Sequence, residues 1–120
     1  MTLVWIASWE MQCCGDPFSP GDTVTWNVQP SQWVASWRHI AAQLPPIDWD
    51  YSEHDDSDSP PHELTGKVRE VKGIWIERAN GIMVLSPNPA ITTADLTCGT
   101  GWDQDDQGNL VDGYLVTLDT

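Results

Sequence analysis

The sequence predicts a mainly β protein of the α+β kind: a small, strongly bent antiparallel β-barrel, SH3-like or OB-like, with one helix. Short stretches in which apolar and polar residues alternate recur six or seven times along the chain. Tight turns rich in Gly, Pro and Asn separate them, which is the pattern of a small sheet that curls into a partly open barrel, with the helix expected to plug one end. Only one stretch changes to helical spacing. With 120 residues, 40% of them hydrophobic, the chain suits one domain over 1–120 with a core of its own.

Residues 2–11 read TLVWIASWEM. Leu3, Trp5, Ala7, Trp9 and Met11 share one face of an extended chain and Val4 and Ile6 the other, so a strand is expected that is buried on both faces early and on one face later. Turns follow at Cys14-Gly15-Asp16-Pro17 and Ser19-Pro20-Gly21-Asp22; the second suits a type II turn, Pro setting φ and Gly accepting φ > 0. Residues 23–28 alternate strictly, with Val24, Trp26 and Val28 inward.

In SQWVASWRHIAAQL (31–44) the apolar residues Trp33, Val34, Trp37, Ile40, Ala41 and Leu44 recur at three- and four-residue spacing. That is one helical stripe, capped by Ser31 and stopped by Pro45-Pro46. Residues 47–63, IDWDYSEHDDSDSPPHE, hold seven acids and two prolines and read as a solvated, mobile loop. Order returns with LTGKVREVKGIWIERANGIMVLS, where Asn80-Gly81 is a type I′ hairpin signal. Counting outward pairs Arg78 with Met83 and Ile76 with Leu85, which places Ile74, Ile76, Met83 and Leu85 on one core face. Gly73 stands where the phase of Val68 and Val71 changes and marks a bulge. AITTADLTCG supplies a further short strand, and Tyr114, Val116 and Leu118 alternate in the last.

Charge narrows the function classes. Eighteen acids against five bases give a net charge of −13, which repels nucleic acid and anionic membranes and favours a cationic partner. No run approaches the length of a membrane span, and the first residues lack the basic start of a signal peptide. Three cysteines, two of them neighbours, do not make a secreted disulfide framework. The expectation is a soluble, cytoplasmic protein, monomeric or weakly self-associating, that binds neither nucleic acid nor membrane.

EMQCCGDPFSPGDTVTW (10–26), TGKVREVKGIWIE and the closing GYLVTLD resemble a group of small actinobacterial proteins of unknown function. The most specific element is W-x-M-x-C-C-G-x-P-F-x-x-G-D-x-V-x-W, carried here by residues 9–26. The resemblance touches both ends and the middle, about half of the chain, but not the acidic loop. It implies a bacterial cytoplasmic setting and no activity, cofactor or catalytic residue.

Eight tryptophans suit cores and recognition surfaces alike, since each indole joins a large apolar face to one N–H. Trp49 and Tyr51 lie among acids that include Asp55, Asp56 and Asp58; Trp102 precedes Asp103, Asp105 and Asp106. An aromatic face beside carboxylates can hold a cation through π and Coulomb terms together, or the same rings can fold back to cover the barrel ends. The leading reading is a non-enzymatic interaction module that meets a basic protein or cationic ligand through Trp49, Tyr51, Asp55, Asp56, Asp58 and Trp102.

A second reading is a zinc protein using Cys13, Cys14, Cys98 and His62, with His39 and His54 as other nitrogen donors. Adjacent residues of an extended chain point to opposite faces, so Cys13 and Cys14 do not readily share one ion; the plain alternative puts one in the core and the other in the turn. Asp103, Asp105, Gln107, Gly108 and Leu110 fall at the first, third, fifth, sixth and eighth positions of a calcium loop, but its twelfth position holds Tyr114 in place of a bidentate acid. A polar hairpin turn explains the same letters. A third reading is a small enzyme of undetermined class, for which the chain offers no Gly-x-Ser-x-Gly, phosphate-binding glycine loop or His-Glu-x-x-His.

Overall fold

Strand β4 (His62–Ile76) is fifteen residues long, enough to serve two neighbours in succession along one edge. The computed structural model describes residues 1–13, 16–30, 44–51, 62–79, 82–83 and 90–120. The first half of β4 pairs antiparallel with β2 (Thr23–Pro30), from Val28↔His62 to Thr23↔Lys67. Its second half pairs with β7 (Ile91–Leu96), from Val71↔Leu96 to Ile76↔Ile91. The opposite edge takes β8 (Gly113–Asp119), which also pairs antiparallel with β1 (Thr2–Ala7). The short β3 (Trp49–Tyr51) lies between β1 and β2, parallel to the first and antiparallel to the second. The ring β1-β3-β2-β4-β8 therefore closes on itself, with β7 appended to β4. It is the small, bent, mainly antiparallel barrel the alternation predicts, with one parallel pair, and it is closed where a partly open barrel is expected.

The bend of β4 comes from a register shift between Val68 and Glu70. One extra residue there moves the inward set from Gly66 and Val68 to Val71, Gly73 and Trp75. The phase change visible in the sequence is thus real, but its seat is Arg69 rather than Gly73. Gly73 serves another need: a Cβ on it would come within 2.6 Å of the Trp75 ring.

The barrel interior holds Val4, Ile6, Val28, Val68, Val71, Val116 and Leu118 around interlocked aromatic rings. Phe18 meets Trp26 edge to face with centroids 5.2 Å apart, and Trp26 meets Tyr51 at 5.5 Å. Phe18 also meets Tyr114 at 5.9 Å; such geometries place ring edges on ring faces, where the quadrupoles attract. A second cluster outside the barrel joins Trp5, Ile74, Ile76 and Leu115, flanked by Leu3, Leu44, Ile47 and Ile91. Burial of β1 on both faces, read from its sequence, follows from this arrangement.

Several expectations change. The strand expected over 2–11 stops at Ala7, and residues Ser8–Cys13 form the helix α1. At helical spacing Trp9 and Met11 fall on opposite sides, so Met11 is buried and Trp9 is 56% exposed. The expected loop 47–63 contains β3 and yields His62 and Glu63 to β4. Residues 52–61 lie outside the described residues, as does the helical stripe at 31–43. The hairpin register holds where it is described: β5 (Arg78–Ala79) and β6 (Ile82–Met83) pair as Arg78↔Met83 and Ala79↔Ile82. Leu85, the expected partner of Ile76, lies outside the described residues; Ile76 pairs with Ile91 and is buried with Ile74.

Gly113 marks the tightest seam. A Cβ there would stand 2.3 Å from Trp5 ring carbons and 2.9 Å from the Ile6 carbonyl. Gly113→Ala is expected to lower stability by about 1–3 kcal/mol, as overpacking of a dense core does. Urea denaturation measures it; a loss below about 0.5 kcal/mol would place this variant among neutral surface changes and contradict the packing.

Candidate functional site

Tyr114 points into the barrel with no exposed surface, so its hydroxyl must find partners inside the protein. It accepts a hydrogen bond from the Gly101 N–H at 2.7 Å and donates to Asp103 Oδ2 at 2.6 Å. Burial raises the pKa of the Tyr114 phenol above its ordinary value, and the hydrogen bond to the Asp103 carboxylate raises it further. The same carboxylate oxygen accepts from the Thr100 N–H at 3.2 Å, while Thr100 Oγ1 accepts from the Trp102 N–H at 3.1 Å. Gly101 has φ +87° and sits so close to α1 that a Cβ would be 2.8 Å from Met11 Cβ. Gln12 Nε2 donates to the Gly101 carbonyl at 2.8 Å.

The rest of the loop is tied as closely. Asp105 Oδ1 accepts from the N–H groups of Gln107 and Asn109 at 2.9 and 2.8 Å. Gly108 supplies the positive φ, +81°, that this turn needs. Trp75 Nε1 donates to the Asn109 carbonyl at 2.9 Å, and Asp112 Oδ2 accepts from the Ile76 N–H at 2.7 Å. The calcium-like letters thus spell a polar turn in which the Asp103 and Asp105 carboxylates serve protein donors.

Trp102 is 59% exposed on this braced loop, followed by Asp103, Asp105 and Asp106. It does not fold back over the barrel. Tyr51 does: it is buried against Trp26, out of a partner's reach, because the register Val28↔Tyr51 turns it inward. Trp49 is half-buried, its ring 5.2 Å from the exposed His62 imidazole. Asp55, Asp56, Asp58, His39, His54 and Cys14 lie outside the described residues. Cys13 closes α1 and Cys98 is half-buried. Among the described residues no group of three or more His, Cys, Asp or Glu is placed to hold a metal ion.

A cleft of about 400 Å³ also opens between Asp16, Asp22 and the rings of Phe18, Trp26 and Tyr51. Those rings are 2%, 8% and 6% exposed and pack on one another, so they offer a ligand little face. Asp22 Oδ2 meanwhile accepts from the Ser19 N–H at 2.9 Å. Trp102, by contrast, is exposed and is followed by Asp103, Asp105 and Asp106. The Tyr114–Asp103 pair that braces this loop is absent from the sequence reading; the available signal was an inward strand tyrosine, whose buried hydroxyl needs a partner.

A family model described as a family of unknown function (DUF6578) matches residues 1–120. The chain belongs to that family. Neither the curated proteins nor the solved structures gave a match. Among the described residues of this DUF6578 member no helix is long and apolar enough to cross a membrane.

Tyr114→Phe removes one hydroxyl and leaves the Gly101 N–H without its acceptor, at an expected cost of about 1–3 kcal/mol. The pH dependence has a definite sign. Above about pH 10 the unfolded chain loses its Tyr114 proton while the folded protein keeps it. Stability from this group is complete below that pH and falls above it, by up to about 1.4 kcal/mol per unit. Denaturation of both proteins from neutral to alkaline pH should show a constant gap that shrinks above pH 10; a gap independent of pH would contradict the buried, hydrogen-bonded phenol.

Proposed function

We propose that this protein is a non-enzymatic binding module whose acidic–aromatic surface holds a cationic partner, a Lys/Arg-rich protein segment. The observation that carries this reading is Trp102, an indole left 59% exposed on a loop braced by buried hydrogen bonds and followed by three aspartates. Folding gains little from an indole in water, whereas an aromatic on a fixed platform contacts a partner at a small entropic cost. Neighbouring carboxylates add Coulomb attraction and steering for Lys or Arg, and the ring adds a cation–π term. The net charge of −13 opposes nucleic acid and anionic membranes as partners. Asp55, Asp56 and Asp58 belong to the same reading through the negative charge they add, and Trp49 as a second aromatic beside acids. A cytoplasmic, actinobacterial setting goes with this reading.

The test is a titration of the protein with a Lys/Arg-rich peptide at low and physiological salt. Binding should weaken as the screening length shortens toward about 8 Å. Trp102→Ala should weaken it about tenfold, the size expected for an exposed aromatic anchor worth above 1 kcal/mol, and should leave the melting temperature nearly unchanged. Equal binding by wild type and variant, or binding indifferent to salt, would overturn the proposal.

A further inference from the structure

We infer that the α1 end of the barrel is a docking groove for a short basic segment carrying one large apolar side chain. The inference rests on the binding-module reading and says where and how the partner sits. Among the described residues four large apolar side chains are exposed: Met1, Trp9, Trp102 and Leu110. The last three lie on α1 and on the loop that is held against it. The Gln12–Gly101 hydrogen bond and the close seat of Gly101 on Met11 hold the loop against α1. Trp102 follows Gly101 directly, and Trp9 lies three residues before Gln12 on the same side of the helix. Leu110 shares with Ser8, Gln12, Asn109 and Asp112 a groove of about 430 Å³, a size that admits one large side chain. The Ser8 N–H donates to the Asp112 carbonyl at 3.2 Å, which pins the helix start to the far side of the groove.

Charge selects the occupant. Residues 1–13 and 98–120 contain no Lys or Arg, while Asp103, Asp105, Asp106 and Asp112 all lie in this loop. Four of the five basic residues, Lys67, Arg69, Lys72 and Arg78, lie on β4 and β5, and the fifth is Arg38. A second copy of the chain would bring a further charge of −13 onto an acidic rim, and an anionic lipid surface would meet the same repulsion. A segment with a Lys or Arg against the exposed Asp106, drawn in by the longer-range field of Asp103 and Asp105, and with an aromatic or leucine side chain beside it, satisfies both the rim and the groove.

Two synthetic peptides with equal numbers of Lys and Arg test this, one with a central Phe and the other with Gly in its place. Their affinities for the full chain are measured by calorimetry for the wild type, Trp9→Ala and Leu110→Ser. The Phe peptide should bind the wild type about tenfold more tightly, the worth of one well-seated apolar anchor. Each variant should erase that advantage and leave the salt-dependent binding of the Gly peptide unchanged. The melting temperature of each variant is measured alongside, and that of Leu110→Ser, at an exposed side chain, should stay near wild type. Asp106→Lys, also exposed, should weaken both peptides without altering their ratio. Equal binding of the two peptides, or an advantage that survives both variants, would overturn the groove while the binding-module reading stands. Absence of binding by either peptide would overturn both.

Discussion

The hydroxyl of Tyr114 lies inside the barrel wall, and a buried hydroxyl without partners costs about 1–3 kcal/mol. Its two hydrogen bonds, from the Gly101 N–H and to Asp103 Oδ2, fold the chain before β8 back over β8 itself. Once Gly101 is held there it fills the space beside Met11, and its carbonyl meets Gln12. The orientation of α1 and the outward direction of Trp102 therefore share one cause. A Cβ at position 101 would press on α1, and its φ of +87° suits glycine.

The same economy of contacts closes the barrel. Strand β4 bends at Arg69, which lets a single strand hold β2, β7 and β8. Rings take the place of side chains over buried glycines: Trp5 covers Gly113, Phe18 covers Gly99 and Trp75 covers Gly73. The Trp75 indole also donates to the Asn109 carbonyl, so a ring packed in the core reaches the turn that carries Leu110. Core packing and the geometry of the exposed end are coupled through these contacts. The barrel supplies rigidity, and the loop turns it into a surface of fixed shape.

Much of the barrel is legible in the sequence because period-two alternation is strong where one face is buried, as in β2 and β8; the separate β5–β6 pair has the register Arg78↔Met83 that counting along the sequence predicts. Helix α1 escapes such reading. It has six residues, fewer than two turns, and Ala7, Trp9 and Met11 stay in phase with the strand before them. β3 escapes because three residues within an acidic run carry no period of their own. Of the expected partner residues, Trp102 is exposed and Tyr51 is core. Both are aromatics among acids, and only strand register separates them. Trp9 reads as a core residue until the chain turns helical, when the same spacing that buries Met11 turns Trp9 outward.

On the proposed reading a braced loop and a short helix present Trp9 and Trp102 to a basic partner, while Trp5, Trp26 and Trp75 serve the core. Indole N–H resonances of ¹⁵N-labelled protein report on each tryptophan separately. On addition of a basic peptide with an apolar anchor, the Trp9 and Trp102 indole signals should move together and saturate. Those of Trp5, Trp26 and Trp75, buried and packed, should hold their positions. Saturation of the peptide with Trp9 and Trp102 unmoved would contradict the account.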